Sequence, residues 1–311
     1  MSDFIQFEQP KNVDIIIGDC VEVMRKMRDE GVQFDAIVSD PPYGIDLHGY
    51  GDAWDNGELV FNASFWKLCY DVLKPGGFLL AFAASRKYHR VAVAVEDAGF
   101  EIYPMLQWLF PGGLPKPANL SELFDRDNVK ERKVLETKAG SGFTSANAKH
   151  GAQQRLTKEF EVKERGVSEE AKDWLGYYYG LNTLKPAIEP IVIAQKPKSE
   201  KRMIDNVRTH GVGALNIGAF KERDDRWPTT VFEYAKSSVR DHQSNHPSVK
   251  PIDLMADLCL LACPTGGHIL DPFAGTGSTG AGAARNGFAC TLIEQNEEMR
   301  EAITKRLNQS R

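Results

Sequence analysis

Four consecutive residues, Asp40-Pro41-Pro42-Tyr43, place a carboxylate, two prolines and an aromatic ring directly after an apolar run. Pro41 holds Asp40 in an extended conformation, and each proline fixes its own φ angle. The segment is therefore predicted to be a stiff strand end that presents the Asp40 carboxylate, the Pro41 carbonyl and the Tyr43 ring. The structural alternative is a proline-rich turn in which Asp40 caps a helix.

These groups suit a reaction in which an exocyclic amine attacks a methyl group. The lone pair of such an amine is delocalised into its ring, so the nitrogen is a poor nucleophile. Asp40 and the Pro41 carbonyl can accept both N–H groups and favour the pyramidal nitrogen that gains positive charge during attack. Tyr43 can stack on a base that has been flipped out of a duplex. We predict that Asp40, Pro41, Pro42 and Tyr43 are catalytic.

A second segment, near the other end of the chain, has the composition of a ligand-binding turn. Glycines at positions 275, 277 and 280 match G-x-G-x-x-G after an apolar run, and Glu294 follows about 20 residues later. Glycine lets a ligand approach the backbone closely, and a helix N-terminus offers unpaired N–H groups. This pattern alone fits NAD enzymes as well as enzymes that use S-adenosylmethionine.

The position of the glycine turn in the chain decides against an NAD enzyme. In a dinucleotide-binding fold the turn follows the first strand, whereas only 31 residues remain after Gly280. Upstream sequence must therefore complete the sheet. When the chain is read as a circle from Leu270, Glu294 ends strand two, Asp19 follows strand three and Asp40 follows strand four. That order predicts the cofactor site of a circularly permuted methyltransferase fold.

Short strands that alternate with helices must position these residues, and they predict a parallel α/β sheet. Strands are predicted at residues 13–17, 35–39, 78–83, 101–110, 188–194, 268–271 and 290–294, and helices at 21–28, 65–73, 91–98, about 251–262, up to 286 and after 294. Lys-Pro-Gly-Gly at 74–77 is a stop signal for the second helix. Residues 118–180 are charged and weakly periodic, with a mobile loop predicted at 139–152, and 198–245 is predicted to be irregular.

The charge of the chain is unevenly distributed. The formal net charge is −5, but residues 111–250 carry 24 Lys and Arg against 19 Asp and Glu, while both ends are acidic. A basic middle in an acidic chain indicates a separate surface for an anionic partner, with random surface variation as the alternative. We therefore expect a catalytic half at residues 1–110, a target-recognition insertion at 111–182 and a cofactor-binding half at 183–311.

Composition argues against several other classes of protein. Apolar stretches stay well below the about 20 residues of a membrane span, and the N-terminus lacks the features of a secretory signal, so we expect no membrane partner and a cytoplasmic location. The five cysteines are scattered, which argues against a disulfide framework. No metal site is predicted, because Cys259 and Cys263 lack further Cys or His partners at ligand spacing.

Two further features allow opposing interpretations. Cys20 follows Asp19 and could indicate covalent catalysis, but attack by an exocyclic amine needs no enzyme nucleophile, so backbone contact or packing is preferred. Trp174 and the three tyrosines at 177–179 could stack on bases, but an aromatic cluster before a strand more often belongs to a core.

Together these segments resemble the amino-methyltransferases of DNA, which share an Asp-Pro-Pro-Tyr or similar catalytic segment and a Phe-x-Gly-x-Gly cofactor segment. Residues 273–277 match the second segment, and the order of the two segments resembles the beta class. Residues 246–251 (His-Pro-Ser-Val-Lys-Pro) resemble the stretch of that class that lies against the methionine end of the cofactor. Residues 185–190, 213–217 and 226–232 resemble segments of phage and prophage adenine methyltransferases.

The resemblance implies a circularly permuted Rossmann-like fold, S-adenosylmethionine as cofactor and double-stranded DNA as partner. It implies direct transfer of the methyl group to the N6 amine of a flipped adenine, as in restriction-modification systems. Within the site, Glu294 is expected to bond the ribose and Asp19 the cofactor adenine. The residues expected to contact the cofactor are Asp19, Cys20, Asp40, Lys250, Asp271, Phe273, Ala274, Gly275, Thr276, Gly277, Ser278, Glu294 and Gln295.

Several alternatives stay open on sequence alone. Cytosine N4 methylation by the same fold is less favoured, because those enzymes more often carry Ser than Asp before Pro-Pro-Tyr. An NAD-dependent Rossmann oxidoreductase explains residues 275–294 but not Asp40 or the permuted order. An RNA or protein methyltransferase, or a DNA-binding protein without catalysis, fits less well. The sequence also leaves open the recognition sequence, whether the chain forms a homodimer, and whether a cognate restriction endonuclease accompanies it.

Overall fold

The computed structural model describes residues 12–44, 58–113, 117–129, 132–143, 155–181, 183–225, 227–237 and 249–309. Within this part of the chain there are two compact units, one built from both ends of the sequence and the other from Pro111–Ala187. The first unit contains a nine-stranded sheet, and the second contains two small two-stranded sheets. Over the described ranges, no helix combines the length and the apolar character that crossing a bilayer requires.

Strands and helices alternate along both ends of the chain. The strands are β1 (Val13–Ile17), β2 (Phe34–Ser39), β3 (Leu73–Phe82), β4 (Glu101–Ile102), β5 (Leu106–Leu109), β6 (Ala118–Asn119), β7 (Val134–Phe143), β8 (Arg155–Lys163), β9 (Tyr178–Tyr179), β10 (Ile188–Gln195), β11 (Val231–Glu233), β12 (His268–Asp271) and β13 (Ala289–Glu294). The helices are α1 (Cys20–Asp29), α2 (Ala63–Val72), α3 (Tyr88–Asp97), α4 (Leu120–Asn128), α5 (Glu169–Asp173), α6 (Met203–His210), α7 (Ile217–Asp224), α8 (Ile252–Ala262), α9 (Ser278–Arg285) and α10 (Met299–Gln309).

The large sheet has the order β1-β13-β12-β2-β3-β10-β5-β11, and β4 also pairs with β10. The first five strands are parallel, β10 runs antiparallel to β3 and β5, and β11 is parallel to β5. Strands from the C-terminal end of the chain therefore lie between strands from the N-terminal end. Read as a circle from β12, the chain supplies β12, β13, β1 and β2 in turn. The predicted circularly permuted α/β fold is thus confirmed.

Helices cover both faces of this sheet. α8, α9 and α10 pack against one face, and α1, α2 and α3 pack against the other. β2 is buried along its whole length, and its side chains alternate between the two hydrophobic clusters, with Ala36 and Val38 in one and Ile37 in the other. A strand buried on both faces needs a continuous apolar run, which is the pattern that precedes Asp40.

The start of β3 differs from the prediction. The Lys-Pro-Gly-Gly segment at 74–77 does end α2, but it forms the first part of β3 instead of a loop. A Cβ on Gly77 would lie 2.9 Å from the Asp35 carbonyl oxygen, so glycine is required for β3 to approach β2 at this point. A stop signal for a helix is therefore also a site of close contact between two strands.

Two other predicted segments are also wrong in part. The single strand predicted at 101–110 is split into β4 and β5 around Pro104, which has no N–H to donate to the sheet. The segment 198–245 was expected to be irregular but contains α6, α7 and β11. α6 ends on Gly211 in the left-handed conformation (φ +77°), and the Asn216 side chain caps α7. These helices are too short to show a clear period in the sequence.

The Pro111–Ala187 unit has a different construction. β7 and β8 form a long antiparallel pair, so the mobile loop predicted at 139–152 is wrong for residues 139–143, while 144–152 lie outside the described residues. α4 is anchored to α5 by the buried Asp125 carboxylate, which accepts backbone N–H groups of residues 166–168. Although burial opposes its ionisation, these hydrogen bonds lower the pKa of Asp125.

The aromatic cluster of this unit is exposed. Trp174 and the tyrosines at 177–179 each keep between 40% and 58% of their surface accessible to solvent, so the prediction that they form a core is wrong. Tyr178 and Tyr179 make up β9, which pairs only with the two residues of β6 in the described chain. A two-stranded sheet of this length has no second layer with which to bury side chains.

Candidate active site

The predicted site residues meet at one edge of the large sheet. In a parallel sheet the carboxyl ends of the strands share an edge, and ligands of open α/β folds bind there. Asp271 ends β12, Glu294 ends β13, Asp19 follows β1 and Asp40 follows β2. Glu189, which the sequence analysis did not select, reaches the same edge because β10 is antiparallel and the residue lies near its start.

The Asp40 carboxylate is held in a compact polar cluster. Lys250 Nζ lies 2.6 Å from Asp40 Oδ2, 3.2 Å from Glu189 Oε2 and 3.0 Å from the Tyr43 hydroxyl oxygen. The Tyr43 hydroxyl is also 2.9 Å from Asp40 Oδ1 and 2.8 Å from Glu189 Oε2. We call Asp40, Tyr43, Glu189 and Lys250 the amine-site cluster. It places one cation between two carboxylates, with a phenol bridging them.

Burial and charge act differently on the members of this cluster. Burial opposes the charge on Lys250, but Asp40 and Glu189 together outweigh it and raise the pKa of the ammonium group. Burial raises the pKa of Asp40, and the Lys250 charge only partly offsets this effect. For Glu189, burial is outweighed by Lys250 and Lys236, so its pKa is lowered. Lys250 therefore stays protonated, and Asp40 is the carboxylate that takes up a proton more readily.

Lys250 was predicted to contact the cofactor, and the structure places its ammonium group beside Asp40. The side chain is 3% exposed and lies 4.9 Å from the centre of the Phe82 ring. Its backbone carbonyl accepts a hydrogen bond of 2.8 Å from Arg306 on α10. The neighbouring residues 246–248 of the same predicted stretch lie outside the described residues.

Asp271 connects the two predicted motifs. Its Oδ1 accepts hydrogen bonds from the Ser39 hydroxyl at 2.6 Å and from the Phe273 N–H at 3.0 Å, and its Oδ2 accepts one from the Thr279 hydroxyl. The residue is 1% exposed, and burial raises its pKa to about 6 against the effect of these bonds. Asp271 therefore fixes the end of β2, where Asp40 begins, to the turn after β12.

The glycine turn leaves space above its backbone. Gly275 has φ +51° and no atom within 4 Å of the position that a Cβ would occupy. Gly277 has φ +81°, and a Cβ there would lie 2.8 Å from Ile303. Of the remaining turn residues, Ala274, Thr276 and Ser278 are buried and Phe273 is half-buried. A ligand can therefore lie against Gly275, whereas the other turn positions pack inward.

Two carboxylates lie at the ends of the neighbouring strands β13 and β1, at the same edge of the sheet. Glu294 Oε2 accepts the Gly275 N–H at 2.8 Å, and Oε1 accepts the Asn296 N–H at 2.9 Å. Burial raises the pKa of Glu294, although these backbone N–H groups oppose it. Together with the Gln295 N–H these donors leave the carboxylate capacity for a further hydrogen bond. Asp19 caps α1 by accepting the N–H of Val21 through Oδ1.

The other two residues predicted here differ in exposure. Cys20 is buried at the start of α1, and burial raises the pKa of its thiol to about 12, so the interpretation of packing over covalent catalysis is favoured. Gln295 is exposed at the end of β13. The arrangement as a whole fits a ligand with a ribose and an uncharged base, because it offers carboxylate acceptors and an open glycine turn whose own residues, 273–278, include no cation for phosphate.

Comparison with known proteins gives the family. The model of N6_N4_Mtase, described as a DNA methylase, matches residues 34–305, a range that includes Asp40, Lys250 and the glycine turn. The chain belongs to this DNA methylase family. The predicted resemblance to the DNA amino-methyltransferases is therefore confirmed, and so is S-adenosylmethionine as the cofactor. The family favours a methyltransferase over an NAD-dependent oxidoreductase.

Relatives among characterised sequences are methyltransferases. The chain is 28% identical over 217 residues to the type II methyltransferase M.HindIII of Haemophilus influenzae, a match that covers 68% of this chain and 56% of that protein. It is 23% identical over 314 residues to the type II methyltransferase M2.DpnII of Streptococcus pneumoniae, with 96% of this chain and 90% of that protein covered. The chain thus spans about half of the first relative and most of the second.

Solved structures share the fold. The crystal structure of the M1.HpyAVI–SAM complex superposes with a TM-score of 0.55 at 18% identity, covering 95% of this chain and all of the other. PvuII DNA methyltransferase (cytosine-N4-specific) superposes with a TM-score of 0.54 at 15% identity, covering 96% of this chain and 93% of the other. At these identities the similarity concerns the fold alone.

Glu189 is the site residue that the sequence analysis missed. It lies in the apolar run Ile-Glu-Pro-Ile-Val-Ile-Ala, which was interpreted only as a strand. A single carboxylate inside such a run is costly to bury without a partner, and that cost was an available signal. Its partner, Lys250, is 61 positions away in the sequence, so their contact depends on the antiparallel placement of β10.

Proposed function

We propose that this chain transfers the methyl group of S-adenosylmethionine to the N6 amine of adenine in DNA. The observation that carries the proposal is the Asp40 carboxylate at the end of β2, tied through Ser39 and Asp271 to the glycine turn after β12. This connection brings an acceptor for an amine next to the place where a nucleoside cofactor fits. Both segments have the residue types that the family resemblance assigns to these roles.

The residues around the amine supply acceptors and a fixed ring. S-adenosylmethionine, when bound, supplies an electrophilic methyl group on a sulfonium. Asp40 and the Pro41 carbonyl accept the two N–H groups, and their hydrogen bonds strengthen as the nitrogen gains positive charge. Tyr43 is anchored through its hydroxyl, which fixes the ring against which the flipped base would stack. Pro42 keeps the segment stiff between these two groups.

The cofactor would lie along the glycine turn. Glu294 accepts a hydrogen bond from a ribose hydroxyl with its remaining capacity, and Asp19 receives the adenine amine. Gly275 permits close approach because the space above it is open. Phe273, which packs against Phe65 at 5.3 Å between ring centres, forms an apolar wall of the same turn.

Adenine is proposed over cytosine because of the residue at position 40. The fold does not decide for adenine, since a cytosine-N4-specific enzyme shares it with a TM-score of 0.54. In the enzymes that this chain resembles, Asp before Pro-Pro-Tyr accompanies adenine, whereas Ser is more frequent with cytosine. Asp40 is therefore the feature that favours the N6 amine.

DNA contacts are assigned to the Pro111–Ala187 unit. The unit is compact in itself, occupies the position of an insertion between the two motifs, and exposes Trp174 and the tyrosines at 177–179. Exposed aromatic rings beside cations can stack on bases or wedge between base steps. We propose that this unit recognises the target. A homodimer and a partner endonuclease stay predictions.

The product formed on DNA tests the proposal. Unmethylated genomic DNA would be incubated with the pure protein and labelled S-adenosylmethionine, digested to nucleosides and separated by mass, with Asp40→Ala as the matched control. We expect labelled N6-methyldeoxyadenosine from the wild type only, and sequencing of the same DNA would then give the recognition site. Labelled N4-methyldeoxycytidine would establish the cytosine alternative, and the absence of labelled nucleoside would refute the proposal.

A further inference from the structure

Two cations near the start of α3 contact an aromatic ring and not a carboxylate. Lys87 Nζ lies 5.5 Å, and the Arg90 guanidinium carbon 5.6 Å, from the centre of the half-buried Phe61 ring. Over the described residues, neither side chain has an ion-pair partner or a hydrogen-bond acceptor. Other cations of the same unit do have one, such as Lys67 with Asp71 at 2.6 Å. We call Phe61, Lys87 and Arg90 the α3 patch, and its two charges stay available to a ligand.

The α3 patch lies at the same edge of the large sheet as the amine-site cluster. β3 is parallel to β2 with Ala81 beside Ser39, so Phe82, which ends β3, comes level with Asp40. The chain then turns at that edge and enters α3 at Tyr88. Neighbouring strands lie about 4.8 Å apart, and the glycine turn follows β12 on the other side of β2. The patch is therefore next to the amine site, on the side away from the glycine turn.

The two sides of this edge differ in charge. On the glycine-turn side, the carboxylates of Asp271 and Glu294 end β12 and β13, and residues 272–278 contain no cation. On the other side of β2, the cations Lys87 and Arg90 follow β3, and the first turn of α3 has no acidic residue. A polyanion that reaches the amine-site cluster is thus repelled by the first side and attracted by the second.

Helix stability does not account for the charges of α3. The helix dipole favours carboxylates in the first turn and cations in the last turn. α3 has the reverse arrangement, with Lys87 and Arg90 at its start and Glu96 and Asp97 at its end. Because these charges oppose the dipole, they need another reason, and attraction of an anion to the site edge supplies it for the two cations.

We propose that the α3 patch contacts the phosphate backbone of the DNA strand that carries the target base. A base held at Asp40 stays joined through its sugar to two phosphates, so the backbone must come to this edge of the sheet with it. Lys and Arg contacts to phosphate position a duplex without selecting its sequence. The proposal rests on the function proposed above only in taking DNA as the substrate, and it holds for an adenine or a cytosine target. It adds a DNA contact on the large sheet to those assigned to the Pro111–Ala187 unit.

Removal of both charges tests the patch. The double variant Lys87→Gln/Arg90→Gln keeps polar side chains beside Phe61, and Lys198→Gln/Lys201→Gln is the matched control, because both lysines are exposed after β10 at the opposite edge of the sheet. Duplex binding is titrated at several salt concentrations. We expect the patch variant to reduce the slope of log affinity against log salt by about 1.8, at roughly 0.9 for each phosphate contact. The control should keep the wild-type slope, and calorimetry should show unchanged S-adenosylmethionine affinity in both variants.

Neutral positions in the backbone locate the contact. In a short duplex that the wild type methylates, a methylphosphonate replaces each phosphate next to the target base in turn. At one of these positions the replacement should weaken binding by the wild type and have no further effect on Lys87→Gln/Arg90→Gln. A wild-type salt slope in that variant, an equal loss in the control, or additive losses at every position would overturn the patch while the proposed function stands. A wild-type protein that binds no duplex would refute both.

Discussion

The two halves of the active-site edge surround their carboxylates with different groups. In the amine-site cluster, Asp40 and Glu189 both contact the buried cation Lys250, whose charge balances one of the two carboxylates, and both contact the Tyr43 hydroxyl. At the glycine turn, Asp271 and Glu294 contact hydroxyl and backbone N–H groups. The first arrangement keeps a proton acceptor charged near an amine that becomes cationic. In the second arrangement the partners of the carboxylates are uncharged hydroxyl and N–H groups. Their directional hydrogen bonds position a ligand without changing its charge.

This difference indicates which residues should affect turnover and which should affect binding. A group that interacts with developing charge acts mainly in the transition state, so its loss lowers the rate more than the affinity. A group that holds the ribose or the turn interacts equally before and during the reaction. The following predictions separate these two kinds of residue, beginning with the largest expected effect.

Asp40→Ala should abolish most methyl transfer while cofactor binding persists. Loss of an acceptor that strengthens in the transition state costs roughly 2.7–4 kcal/mol, or about two to three decades in rate. Asp40→Asn keeps the size and one acceptor oxygen but loses the charge, so its rate should fall between those of wild type and Asp40→Ala. Labelled methyl transfer to an adenine-containing duplex measures all three. An Asp40→Ala variant with most of the wild-type rate would remove Asp40 from its assigned role.

Asp271→Asn should change how stability depends on pH. Burial raises the pKa of Asp271 to about 6, so the folded protein binds this proton more tightly than the unfolded chain does. The stability that it contributes is complete below about pH 4 and is lost as the pH rises through 6, a decrease of about 3 kcal/mol. Asp271→Asn should remove this part of the slope.

Urea unfolding of both proteins between pH 4 and 7 measures that slope, with Asp97→Asn on the exposed end of α3 as the control. The difference in free energy of unfolding between wild type and Asp271→Asn should change across this range, and Asp97→Asn gives the effect of removing an exposed carboxyl group from the same protein. A constant difference for Asp271→Asn would show that the buried carboxylate does not titrate in the folded state near pH 6.

Glu294→Ala should weaken S-adenosylmethionine binding without unfolding the protein. The variant loses a charge-assisted hydrogen bond to the ribose, with a contribution of about 1.5–3 kcal/mol, and also releases the Gly275 N–H. Its effect should appear in the dissociation constant by calorimetry, and saturating cofactor should restore most of the rate. An unchanged affinity would place the ribose elsewhere.

DNA binding should weaken steeply with salt, because an acidic chain has to rely on a local basic surface. Each phosphate contact contributes a slope of roughly −0.9 in log affinity against log salt. Titrations of duplex DNA at several salt concentrations, with and without S-adenosylmethionine, give this slope. Lys133 is an exposed cation of the Pro111–Ala187 unit, and we expect Lys133→Ala to reduce the slope by about one phosphate contact. A flat dependence would argue against DNA contacts from the basic middle of the chain.

The sequence by itself predicted both motifs and the order of the four strands that carry them. Both motifs carry local signals, since Asp40 follows one apolar strand and Gly275 follows another. Proline restricts the backbone and glycine releases it wherever they stand, so these signals do not depend on distant contacts. Glu294 and Asp19 were placed by counting strands. The permuted order was predicted from the late position of the glycine turn and the strand-end acidic residues, and the position of β12 and β13 between β1 and β2 bears it out.

Only the tertiary structure decided what surrounds those motifs. Glu189 joins Asp40 because β10 runs antiparallel to β3, and Lys250 is held there because Arg306 of α10 bonds its carbonyl. The sequence around Glu189 or Lys250 indicates neither arrangement. The exposure of Trp174 and the extended course of residues 74–77 likewise depend on which layers the fold provides around them. Local sequence specifies backbone conformation, whereas contacts between distant segments decide which charged groups are brought together and buried.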